Sequence, residues 1–200
     1  MKKSILIYSL LLFLHCRNDN SNSIHDGQSM VESSIGLIHF KGDIKDAIDY
    51  YDENSKKRGN FFLYDLINIK NVTPYAYNAE YRLMAFKIIP SELPDMTKVL
   101  SSNSKDVMYL KKGEDHFVSK SWEEHVMSVF AVRATTENRF HIKASAYSTV
   151  VALTNEQVAM PLKINREWLM VEYEKENTTH SAWIRWKKNG KIVIDLVYVS

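Results

Sequence analysis

The chain has 200 residues and a mass of 23.3 kDa, with 45% apolar and 25% charged residues, the balance of one good-sized folded domain or two small ones; disorder along the whole length is excluded. Its 26 Lys and Arg oppose 24 Asp and Glu, and without Lys2 and Lys3, which fall in a removable leader, the count is 24 against 24, which disfavours an electrostatic nucleic-acid partner. The six glycines show neither phosphate-loop nor dinucleotide-loop spacing, which excludes nucleotide enzymes of those two classes.

Residues 1–15 read as an export signal. Lys2 and Lys3 form a positive start, and an apolar run from Ile5 to Leu14 follows. At 1.5 Å per residue that run reaches roughly 15 Å, about half the hydrocarbon thickness of a bilayer, so it is a cleaved signal and not an anchor. Cys16, the single cysteine, stands where the apolar run ends and a polar stretch begins. This position resembles a bacterial lipobox, with His15 in place of the usual small residue. The resemblance implies diacylglycerol on Cys16, cleavage just before it and acylation of the new terminus. Two or more lipid chains give stable membrane attachment without a transmembrane helix. A lone cysteine forms no internal disulfide, so the fold must rest on its core.

Residues 16–32, rich in Asn, Ser, Asp and Gln, read as a flexible tether. The folded part is expected from Ser33. Ile44, Ala47, Ile48 and Tyr51 recur at helical spacing with Asp43, Asp46, Asp49 and Asp52 on the other side, which predicts a short helix over 43–51. Residues 61–69 and 80–89, aromatic and branched and bounded by Gly59, Pro74 and Pro90, predict strands. After a loop with Pro90 and Pro94, Ser121 and Glu124 form a capping box that starts a helix over 121–129, with Trp122, His125, Val126 and Val129 on its apolar face. Beyond Ala131 no helical period returns, and a domain boundary is expected near residue 135. The organisation is thus an N-terminal α+β domain over 33–135 and a β domain over 136–200.

In the C-terminal part, Leu169, Val171 and Tyr173 alternate with Trp168, Met170 and Glu172. Two further runs flank Asn189-Gly190, a strong hairpin signal because a type I′ turn needs positive φ at both central residues. Short strands in that number predict a small barrel. The opening Asn138, the run Ser148, Thr149, Val150, Val151, the strand Trp168-Leu-Met-Val171 and the strand Trp183-Ile-Arg-Trp186 resemble a bacterial SH3-like (SH3b) domain over roughly residues 137–200. The family's glycines before the two tryptophan strands are replaced by Arg166-Glu167 and Ala182. The resemblance implies an SH3-like β-barrel and a noncatalytic module that binds cell-wall or other peptides in a shallow aromatic groove. It places Trp168, Trp183, Trp186 and Tyr147 near that groove, although a small barrel also needs tryptophan for its core.

Marks of catalysis are few. No histidine pair has H-x-x-x-H spacing, and G-x-S-x-G is absent. Asp115-His116 and Glu123-Glu124-His125 read more simply as a loop and a helix surface than as a metal site. Neither a metal nor a cofactor is expected. Arg185, Lys187, Lys188 and Lys191 read as a solvated hairpin tip or as a contact for wall-polymer phosphates or lipid head groups. The expectation is an envelope lipoprotein, held in a membrane through Cys16 and facing the periplasm or cell surface, that serves as a binding or scaffold protein for a wall peptide or a protein partner. An inhibitor or immunity protein that blocks an enzyme is the alternative, and a wall hydrolase carrying the module for targeting is a third.

Overall fold

The computed structural model describes residues 34–43, 45–63, 73–101, 106–136, 138–154 and 157–198. Within them lie fifteen strands and one six-residue helix. An α+β class is therefore overturned: the protein is nearly all β, and neither of its two main sheets closes into a barrel.

The first sheet contains β1 (Gly36–Phe40), β2 (Ala47–Tyr51), β3 (Lys57–Phe62), β4 (Ala76–Asn78), β5 (Leu83–Ile89), β6 (Met96–Leu100), β7 (Val107–Lys111) and β8 (Phe117–Lys120). Its order is β3-β2-β7-β6-β5-β1-β8, with β4 also on β5. The helix expected over 43–51 is corrected here. Asp43 and Asp46 close a turn, the Asp43 amide donating to Asp46 Oδ2 at 2.7 Å, and residues 47–51 then pair with β3 and β7. The three-residue spacing of the acids belongs to a turn and a strand: Asp49 meets Lys57 at 2.7 Å across β2–β3, and Asp52 holds Arg58 at 2.9 Å. Strand 61–69 is displaced: β3 ends at Phe62, and residues 64–69 lie outside the described set. Strand 80–89 begins only at Leu83, after a turn in which Arg82 has φ 50°.

β1 is buried on both sides because it faces two cores. Ile38 and Phe40 point into the core of the first sheet with Phe61, Phe86 and Val99, and the Phe40 ring meets Phe61 edge-on at 5.5 Å. Leu37, on the opposite face, packs into the second core. Gly36 fits because a Cβ there would collide with the Lys120 carbonyl oxygen of β8.

The capping box forms as expected. Ser121 Oγ accepts from the Glu124 amide, Glu124 Oε2 accepts from the Ser121 amide, and α1 spans Trp122–Met127. It lays Trp122 and Val126 on the second core, and Trp122 Nε1 donates to the Ser34 carbonyl at 3.2 Å.

The second sheet has the order β12-β11-β10-β9-β15, built from β9 (Ala131–Arg133), β10 (Val158–Asn165), β11 (Trp168–Lys175), β12 (Thr178–Arg185) and β15 (Asp195–Val197). β13 (Lys187–Lys188) and β14 (Lys191–Ile192) form a separate ribbon whose turn has Asn189 at φ 51° and Gly190 at φ 80°, the left-handed pair that the Asn-Gly signal requires. The expected SH3-like barrel does not close, and β12 and β15 remain edges. Closure serves to cover a sheet's apolar face; here Leu37, Trp122, Val126 and Val129 cover it from outside.

Candidate functional site

The site is built where β11 begins. Arg166, at φ 54°, turns the chain without glycine between β10 and β11. Ala182 is not in a turn: it is buried within β12, paired with Val171. Alternation then sorts the strands. Leu169, Val171, Tyr173, Ala182 and Ile184 are buried, while Trp168, Met170, Trp183 and Arg185 lie half-buried on the outer face. Register sets Trp168 opposite Arg185 and Met170 opposite Trp183, and Lys163 Nζ stands 5.7 Å over the Trp183 ring.

The chain between β9 and β10 is laid along the edge of β12. His141 and Trp183 exchange backbone hydrogen bonds of 2.6 and 2.7 Å. The His141 ring meets Trp168 edge-on at 5.4 Å. Asn138 Nδ2 donates to the carbonyls of Arg185, at 2.6 Å, and Val193, at 2.9 Å, so one amide ties the end of β12 to the approach to β15.

Between these walls lies a groove of about 710 Å³. Trp168 and His141 form its aromatic side, Arg139, Arg185 and Lys188 bring positive charge, and Asp195 supplies one carboxylate. Arg185 is committed: its guanidinium pairs with Glu167. The charged ends of Arg139, Lys188 and Asp195 have no ion-pair partner among the described residues. The volume falls in the range of small-molecule and peptide clefts, and the lining combines an aromatic surface with a few polar groups that orient a ligand.

Of the residues singled out by sequence, Trp168 lines this groove. Trp183 shares the outer face and holds His141 through its backbone, but does not line the groove. Trp186 is fully buried and donates its indole N–H to the Arg166 carbonyl at 2.9 Å, so it is a core residue. Tyr147 is fully exposed on the loop that contributes Ala146 to the lining. Cys16 lies outside the described residues. Within the basic cluster, Arg185 and Lys188 face the groove, whereas Lys187 sits 5.3 Å over Trp186 and 3.7 Å from Glu123. Arg139 and His141 were not legible, because they belong to a segment without strand or helix period.

A second polar cluster lies between the sheets. His39 Nε2 and His125 Nδ1 are 3.0 Å apart, and His125 Nε2 is 3.0 Å from the Tyr198 hydroxyl. Burial, then the Lys120 ammonium, lowers His39 to about 4; burial, then His39 and Lys120, lowers His125 to about 3. Burial raises Tyr75 and Tyr198, which bond to each other, and lowers Lys87, whose ammonium is 4.6 Å over the Tyr75 ring. These groups satisfy one another and brace the two sheets. His116 has a different neighbour, Asp46 at 3.7 Å, and no group of three or more metal-ligating side chains occurs among the described residues. No helix there is long and apolar enough to cross a membrane.

Comparison with protein-family models, with curated proteins and with solved structures finds no match to this chain.

Proposed function

We propose that this protein is a noncatalytic binding protein of a bacterial envelope, tethered to a membrane through lipid on Cys16, which recognises a peptide or cell-wall component in the groove beside Trp168. The observation that carries the reading is the groove itself: a cavity of about 710 Å³ lined by a half-buried indole, a histidine ring and charged side chains that have no ion-pair partner among the described residues. A rigid ring gives a ligand large contact area at small entropic cost, and its N–H remains to orient a carbonyl. The resemblance of residues 137–200 to SH3b domains supports the same role, carried on an open sheet. The test is retention of the protein by isolated wall material or an envelope peptide pool. Trp168→Ala should abolish retention while leaving the fold intact; unchanged retention would reject the groove.

An inhibitor or immunity protein is the second reading, and one observation favours it. Val158, Met160 and Leu162, each more than a third exposed, alternate along β10 as an apolar stripe, and exposed Phe130 lies in one pocket with Val158 and Met160. Such a stripe fits a protein interface. Co-purification of an enzyme that is lost on Met160→Asp and kept on Trp168→Ala would support this reading over the first.

A further inference from the structure

We infer that the ligand of the groove is an acidic peptide, bound with a side-chain carboxylate between Arg139 and Lys188 and a peptide N–H directed at Asp195. The inference rests on the groove being a binding site, and it specifies what fills it.

The three groove cations divide into two kinds. Arg185 shows how this fold treats a structural cation: it is half-buried, anchored in β12 and neutralised by Glu167. Arg139 and Lys188 border the same cavity, are exposed, and have no such acid among the described residues. They arrive from separate elements, Arg139 from the segment pinned by Asn138 and Lys188 from the β13–β14 ribbon. Two cations that line one cavity and have no acid beside them among the described residues favour an anionic group there, and a guanidinium beside a carboxylate permits a two-bond fork.

Asp195 narrows the class. A ligand that is anionic throughout, such as a chain of phosphates, would meet repulsion from this carboxylate, which lines the same groove. A peptide offers both signs of partner: an acidic side chain for Arg139 and Lys188, and an amide N–H or a terminal ammonium for Asp195. It also offers apolar side chains for Val150, Ile192 and Ile194 of the lining, and peptide planes for Trp168. The cavity holds several residues, not one amino acid.

The experiment follows the indole resonances of the full chain by NMR, with Trp168 assigned from Trp168→Phe. The probes are a pool of blocked hexapeptides with two glutamates at otherwise randomised positions, the matched glutamine pool, and inorganic phosphate. The glutamate pool should shift the Trp168 resonance, and the glutamine pool should bind about tenfold more weakly or worse. Arg139→Gln and Lys188→Gln should each remove most of that difference without altering the melting curve, and phosphate should not compete. Equal binding of both pools, abolished by Trp168→Ala, would overturn the acidic preference while the groove stands as a binding site. Displacement by phosphate would overturn the peptide assignment in favour of a simple anion site. No shift with either pool would reject the acidic peptide and count against the groove as well.

Discussion

His39 on β1 and His125 on α1 meet nitrogen to nitrogen at 3.0 Å, and His125 continues the contact to the Tyr198 hydroxyl just beyond β15. One ring must donate and the other accept, so the contact excludes two protonated rings, and burial favours the neutral form of both. This short chain of polar atoms joins the first sheet, the helix and the end of the last strand of the second sheet.

Acid sensitivity follows. The folded values lie near 4 for His39 and 3 for His125, below the ordinary 6.5, so on acidification the unfolded chain binds protons that the folded chain refuses. Stability should be fully present above pH 6.5 and decline from there down to about pH 3–4. Urea midpoints measured between pH 7.5 and 4.5 should fall with pH in the wild type and fall less steeply in His39→Gln. Parallel slopes would show that the pair does not govern this range.

Trp168, on β11, and Trp186, just beyond β12, should part company. Trp186→Ala removes a fully buried indole and its bond to Arg166, at a cost of about 3–5 kcal/mol. Trp168→Ala removes a half-buried ring and should cost about 1 kcal/mol in stability while weakening ligand binding by about 2 kcal/mol or more. Denaturant titrations of both variants check the first pair of values, and retention assays the second.

Val171 is completely buried between β10 and β12. Val171→Asp places an unpaired charge in the second core and should destabilise by roughly 3–5 kcal/mol, read as loss of the cooperative melt.

Asn138→Ala leaves the Arg185 and Val193 carbonyls without their shared donor. A stability loss of about 1–3 kcal/mol is expected, together with weaker binding, because the wall that carries Arg139 and His141 is released. Asn138→Asp should fail to rescue either effect, since a carboxylate cannot donate.

Cys16→Ser should move the protein out of the membrane fraction into precursor or soluble material. Fractionation checks this, and wild-type protein found wholly in the soluble fraction would reject the lipid anchor.

Local signals read well where one rule governed several residues. The outward and inward sets of β11 follow from alternation alone, and Ser121 with Glu124 gave the start of α1; Asn189-Gly190 gave its turn, but only the two-residue strands β13 and β14 pair across it, while the longer runs on either side pair with β11 and β9. Residues 47–51 misled because acids three apart imitate a helix when a turn feeds a strand, and the burial of Ile48 depends on pairing with distant Phe61. β1, β4, β6, β7 and β8 were missed: they are short strands stabilised by pairing with neighbours such as β5 rather than by their own pattern. The barrel failed to close for a reason that no local window contains, namely that Leu37 and α1 already cover the apolar face. In the groove, Trp168 was legible as an outward indole. Arg139 and His141 were not, since a single backbone bridge to Trp183 brings them there.

The measurement that bears most directly on the groove is photo-cross-linking in intact cells, with a benzophenone amino acid placed in turn at Thr136, on the groove rim, and at Met160, on the apolar stripe of β10. Recognition through the groove predicts an adduct from position 136 that disappears when Trp168→Ala is added, and none from position 160. An adduct from position 160 alone, indifferent to Trp168, would contradict it.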